Sequence, residues 1–284
     1  MLRKILVPVR GDGLVETVLG HAATLARRHK AHIVVAHCRP QAEDLMPYGM
    51  PLPAFARKTM LKQAQELANQ QENDLRAELH QLAEKLELHE AQAAPGSDTT
   101  VEFVEESGRM ADVIKHNGRL ADIIVVAKPN RDSNLGTNSL KSALFQTGRP
   151  VLMCPPRDTA PQTFCERITV AWNGSLEASR MVALTLDLAA GAQKVSILTG
   201  GKGEPHGATA EELVEYYNLR GVAADIHRFE ARNPGITLLK KTEEIGAGML
   251  IMGAYGISHE RETLFGGNTQ AVVDSAQIPV VLAH

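Results

Sequence analysis

The run Met249-Leu250-Ile251-Met252-Gly253-Ala254-Tyr255-Gly256, with Gly266-Gly267-Asn268-Thr269 a little further on, decides the reading of this chain. Four consecutive apolar residues ending in glycine read as a parallel strand buried on both faces, which delivers its loop at the carboxyl edge of a sheet. The second glycine cluster opens a helix-like segment, Gln270–Ala276, and another apolar run, Pro279–Ala283, closes the stretch. A helix start presents free backbone N–H groups and the positive end of its dipole. Glycine lets backbone approach a ligand closely, and a hydroxyl residue at that place completes an anion site. The stretch points to a ligand that carries phosphate.

Working outward, the same plan occurs twice. Ala247–Gly253 restates Ala121–Ala127, Arg167–Trp172 restates Lys4–Val9, and Ile278–Val281 restates Arg149–Leu152. In the first half, a helix stripe from Val15 to Ala26 follows the opening strand, and Ala31–His37 is a second strand. A helix of roughly thirty residues then runs from Ala54 to Leu88, with Leu61, Ala64, Leu67, Ala68, Leu75, Leu79, Leu82 and Leu86 on its apolar stripe. Thr100–Glu105 alternates like a strand, Met110–Asn117 is helical, and Pro150–Cys154 is the last strand. In the second half helices are expected at Ala178–Ala190, Ala210–Leu219 and Ile236–Ile245, and strands at Val195–Thr199 and Ala223–Phe229. Strands alternating with helices mean a doubly wound parallel α/β sheet with right-handed crossovers. Pro155–Glu166 is proline-rich and without period, which makes it a linker. The expected division is residues 1–155, a linker at 156–166, and 167–284. The last strands, Val151–Met153 and Val280–Leu282, fall at sheet edges, and pairing them across the halves would cover both.

Composition bounds the function. A length of 284 residues suits two domains, and 44% hydrophobic residues with only 4% aromatic leaves the cores to Val, Ile, Leu and Ala. Thirty basic against 33 acidic residues, a net charge of −3, gives no electrostatic attraction to nucleic acid or anionic lipid. Neither a signal-peptide pattern nor a membrane-length apolar run occurs, and the three scattered cysteines read as reduced thiols, so a cytoplasmic location is expected. The histidines are not at metal-ligand spacing, and no Ser–His–Asp set, CxxC or Walker-type lysine is present. No catalytic residues are assigned. Ligands of open α/β sheets sit where strand order reverses, outside the carboxyl ends of the strands. In the second half that crevice is flanked by Asn173-Gly174-Ser175 and by Gly253–Thr269.

At these residues the chain resembles a tandem universal stress protein, with two domains of that family fused head to tail. The family's nucleotide signature is Gly, two residues, Gly, nine residues, Gly, then Ser or Thr; Gly253, Gly256 and Gly266 stand at that spacing. The resemblance implies two doubly wound parallel five-stranded sheets of the adenine nucleotide alpha hydrolase-like type, joined as an intramolecular pseudo-dimer that could pair further into a homodimer. It implies ATP or ADP as ligand, with Mg²⁺. Ala171 and Thr199 would border the adenosine, Met252 and Gly253 the ribose side, and Gly256, Gly266, Gly267, Asn268 and Thr269 the phosphates. Two positions depart from the pattern: Gly267 stands where the family has Ser or Thr, and Asn173 where ATP-binding members have Asp. Each lost polar contact costs about 1 kcal/mol, which weakens binding rather than abolishing it.

The first half departs further, with Ala127-Lys128-Pro129-Asn130 in place of the glycine loop and Arg10 at the Asp position. Proline has no N–H and the other residues lack glycine's close approach, so this half reads as a structural partner. Arg10 and Lys128 together suggest at most a small-anion site. The resemblance thus implies a nucleotide-dependent interaction module for stress response. The alternatives are a slow ATP hydrolase or nucleotidyl-transfer enzyme of related fold, and a structural dimerisation protein that binds no nucleotide.

Overall fold

The β-branched and leucine-rich runs become strands and the amphipathic runs become helices that cover them. A computed structural model describes residues 2–9, 14–39, 53–93, 98–130, 136–156, 161–200, 207–254 and 267–284. The first half contains β1 (Lys4–Val9), α1 (Val15–His29), β2 (His32–Arg39), α2 (Ala54–Lys85), β3 (His89–Glu90) and β4 (Thr100–Ser107). It ends with α3 (Met110–Gly118), β5 (Ile123–Ala127), α4 (Thr137–Gln146) and β6 (Val151–Cys154). The second half contains β7 (Arg167–Ala171), α5 (Leu176–Leu184), α6 (Leu186–Gly191), β8 (Lys194–Gly200) and α7 (Ala210–Asn218). It continues through β9 (Ala224–Phe229), α8 (Pro234–Glu244), β10 (Met249–Gly253), α9 (Gly267–Ser275) and β11 (Val280–Ala283).

The eleven strands among the described residues form one sheet in the order β3-β4-β2-β1-β5-β6-β11-β10-β7-β8-β9. Within each half every pairing is parallel, and strand order reverses at β1 and at β7, each flanked by its second and its penultimate long strand. The seam between the halves is the antiparallel pair β6–β11, with Val280 opposite Met153 and Leu282 opposite Val151. The two expected edge strands therefore cover each other, and all eight seam residues are buried. Alternation along a strand sends successive side chains to opposite faces. Leu152, Cys154, Val281 and Ala283 join one hydrophobic core; Val151, Met153, Val280 and Leu282 join the other. Each core runs across both halves. Because the seam is antiparallel, the carboxyl ends of the two sets of parallel strands lie on opposite edges of the sheet.

Phe164, in the segment joining the halves, is 1% exposed and packs its ring 5.1 Å from that of His21 on α1. Gly248 makes room for it: a Cβ there would lie 2.6 Å from the Phe164 backbone. Arg28 at the end of α1 donates to the Gly191 carbonyl that ends α6, a cation at a helix C-terminus.

Four details differ from the sequence expectation. A two-residue strand, β3, adds a sixth strand to the first half, beyond the five expected. The helix expected at Ala178–Ala190 is two, broken at Thr185, whose φ of −112° and ψ of 15° leave the helical range. The apolar stripe of α2 is buried only in its second part, at Leu75, Leu79 and Leu82, while Leu67 is 58% exposed. Helix periodicity shows which side is apolar but not how far the helix overhangs its domain. Finally, α9 begins three residues earlier than the expected Gln270, at Gly267.

Because both cores span the seam, the halves are expected to unfold together. In a urea titration, the fluorescence of Trp172, the single tryptophan, and far-UV circular dichroism should give coincident transitions; two separated transitions would contradict the shared core.

Candidate functional site

The second half gathers most of the expected ligand residues at the carboxyl edge of its strands. Ala171 ends β7 and is half-buried; Thr199 stands near the end of β8 and is also half-buried. Met252, 6% exposed, and Gly253 end β10, which pairs with β7 on the side away from β8. This is the place where strand order reverses. Gly267 and Asn268 are exposed in the first turn of α9, and Thr269 is buried just behind them. Gly256 and Gly266 lie outside the described residues, as do Arg10 and the polar stretch from His259 to Glu262.

Two of the glycines differ in what surrounds them. A Cβ on Gly267 would meet nothing within 4 Å, so this position is open to a ligand. A Cβ on Gly253 would lie 2.7 Å from the Glu177 carbonyl carbon and 2.8 Å from the Ala178 nitrogen. That glycine is needed by the close approach of α5 to the end of β10, which a reading by ligand chemistry alone misses. A third contact, equally silent in the motif, places α8 against α9: a Cβ on Gly235 would stand 2.5 Å from the Asn268 carbonyl oxygen. Two helix starts thus meet at this edge, and both contribute positive partial charge. The α8 start is capped, since Asn233 accepts from the Ile236 N–H at 3.4 Å.

The loop after β7 is fixed by its own hydrogen bonds. The Asn173 side-chain oxygen accepts from the Ser175 N–H at 3.1 Å, and the Ser175 hydroxyl oxygen accepts from the Ala178 N–H at 3.2 Å, capping α5. Gly174 has φ of +73°, and a Cβ on it would press to 2.8 Å from the Gly207 nitrogen. Trp172 anchors the same contact, its indole N–H donating to the Ala208 carbonyl at 2.9 Å. Asn173 keeps its amide N–H pair and a second lone pair on the side-chain oxygen beyond that bond.

At the corresponding place in the first half, Val9, Leu14, Val15, Val18 and Val126 line an open cleft together with Gly136 and Ser139 at the start of α4. The Lys128 ammonium donates to the Ala276 carbonyl at the end of α9, 2.9 Å across the seam, a cation at a helix C-terminus. Burial lowers the pKa of that ammonium, and Asp274 offsets part of the effect. Arg10, the other residue of the small-anion expectation, lies outside the described residues. Among the described residues no group of three or more His, Cys, Asp or Glu is placed to hold a metal ion. Nor is any helix among them long and apolar enough to cross a membrane.

The two halves repeat a 3-2-1-4-5 strand order and are joined through their last strands, and in each a glycine stands at the start of the helix after the fourth strand of that order. The model of the universal stress protein family matches residues 1–136 and 202–284. The chain belongs to the universal stress protein family. No curated protein matches it by sequence. Among solved structures, it is similar to a universal stress protein from Archaeoglobus fulgidus DSM 4304, at 18% identity and a TM-score of 0.70, over 99% of this chain and 95% of that one. A putative universal stress protein from Pseudomonas aeruginosa UCBPP-PA14 is similar at 16% identity and a TM-score of 0.53, over 99% and 93%. At these identities the likeness concerns the fold, which is shared along the whole length.

The two glycine environments give opposite expectations. Gly253→Val should lower stability by about 1–3 kcal/mol through overpacking against α5, with no nucleotide present. Gly267→Ala should stay within about 0.5 kcal/mol of the parent. Urea denaturation of both variants checks the pair.

Proposed function

We propose that this universal stress protein binds an adenine nucleotide, ATP or ADP with Mg²⁺, at the carboxyl edge of its second half, and acts as a nucleotide-dependent interaction module in stress response. The observation that carries this reading is the start of α9. Gly267 and Asn268 are exposed there, Gly267 has open space where a side chain would be, and the strand ends of the switch point lie beside it. Backbone N–H groups at a helix start suit a phosphate, and the adjacent start of α8 adds to the favourable potential. Ala171, Thr199 and Met252 would border the base and sugar, with the Asn173 amide N–H pair as donor toward the ribose. Gly256, Gly266 and Thr269 would complete the phosphate loop. Mg²⁺ would be carried chiefly by phosphate oxygens, because the described residues supply no carboxylate cluster for it. The first half would bind none, since Ala127-Lys128-Pro129-Asn130 stands there in place of the glycine loop.

Isothermal titration calorimetry should give micromolar binding of ATP or ADP at about one site per chain. Gly267→Asp, which sets a carboxylate beside the phosphates without filling occupied space, should weaken binding roughly tenfold or more at unchanged stability. Absence of binding at millimolar nucleotide, or two equal sites, would overturn the assignment.

A further inference from the structure

Helix α2 is tied to its domain from Asn69 onward. Arg39 on β2 donates to the Asn69 side-chain oxygen, and Glu72 Oε2 lies 2.6 Å from His37 Nδ1, a pair only 11% and 15% exposed. Behind that pair Leu75, Leu79 and Leu82 are buried. Ahead of it the helix runs on for about four turns from Ala54. There Met60 and Leu67 are 36% and 58% exposed, and Leu61, Ala64 and Ala68 are partly exposed.

Met60, Ala64 and Leu67 follow three- and four-residue steps, so they share one face of the helix. The same steps reach Arg57 in one direction and Gln71, Asp74 and Glu78 in the other. The latter three line an open groove between α2 and the body of the first half, with Leu75 beside them, Cys38 on β2 and Met110 on α3. The overhanging apolar stripe and the groove are therefore one continuous surface.

That surface is complementary to itself in two ways. Its apolar residues are symmetric about Ala64: Met60 and Ala68 stand four places to either side, Leu61 and Leu67 three. A two-fold axis at Ala64 sets Met60 on Ala68, and Leu61 on Leu67, of a second copy running the opposite way. Alanine at the crossing lets the helix axes approach to about 8 Å. Charge is divided along the same line. Arg57, Lys58 and Lys62 stand with a single acid, Glu66, in the first part of α2, whereas Glu72, Asp74, Glu78 and Glu84 outnumber Arg76 and Lys85 in the second. Among the described residues Arg57, Asp74 and Glu78 have no ion-pair partner. Antiparallel pairing about Ala64 brings Arg57 opposite Gln71 and within one turn of Asp74 of the other copy. Parallel pairing would set like charge on like.

We propose that this face of α2 is the interface of a homodimer, in which the helices of two chains cross antiparallel at Ala64 and the first turn of each enters the groove of the other. The apolar contact is short, so the dimer belongs among weak, reversible associations rather than obligate ones. This interface is independent of the nucleotide reading.

Sedimentation velocity of the full chain between about 1 and 200 μM should show monomer passing into dimer, with a micromolar dissociation constant. Leu67→Glu should raise that constant roughly tenfold or more, with an unchanged far-UV circular dichroism spectrum because the residue is exposed. Arg57→Glu should weaken the dimer as well, and adding Asp74→Arg to it should restore association. On mild oxidation Ala64→Cys should give a disulfide-linked dimer, and Lys62→Cys, on the opposite side of the helix, should give none beyond the parent chain. A monomer at every concentration, the outcome if the chain's own residues 40–52 cover the stripe, would overturn the proposal. So would a dimer indifferent to Leu67→Glu and Arg57→Glu, the outcome if copies meet along the outer edge of β9.

Discussion

The antiparallel ladder between β6 and β11 is the constraint on which the rest of the molecule depends. Without it each half would end in an open strand of four apolar residues, a template for uncontrolled pairing. With it, two five-strand plans become one sheet, and the residues of the seam serve two cores at once. The cross-seam contacts are consequences of that pairing. Lys128 reaches the end of α9, Arg28 reaches the end of α6, and His284 stacks edge-on with Phe145 at 5.0 Å between ring centroids. The first two put a cation on a helix C-terminus belonging to the other half, so helix dipoles are used at the seam.

The glycines show how one residue type serves two purposes in a small space. Gly253 is fixed by packing against α5, Gly235 by packing against Asn268, and Gly174 by both a positive φ and the pressure of Gly207. Gly267 alone among these stands in open space. The shape of the edge is thus set by backbone-to-backbone approach, and the first turn of α9 is left in open space at Gly267.

Much of this was legible in the residues. Uninterrupted runs such as Ile123–Ala127 and Met249–Gly253 mark strands buried on both faces, and their recurrence marks the duplication. The seam was legible because Val151–Cys154 and Val280–Ala283 are too apolar to face water. What stayed hidden depends on contacts far apart in the chain. Nothing local marks Thr185 as a break, since threonine is tolerated in helices. The stripe of α2 is regular along its length, yet the body of the domain ends before Leu67 is reached. Nor does the spacing of Gly253 reveal that Glu177 presses on it. The pairing of His37 with Glu72 is another long-range fact, because it joins a strand to a helix across a separate connection.

Placing the seam inside a single polypeptide also breaks a symmetry. In an assembly of two identical subunits every substitution appears twice, so a residue that closes one crevice closes its twin. Here Lys128 and Ala254 occupy matching places after β5 and β10, and each has to suit one neighbourhood only. Lysine binds a helix end across the seam, whereas alanine is fully buried with its N–H on the Ala283 carbonyl at 2.8 Å. Covalent fusion lets the two copies carry different residues at matching places.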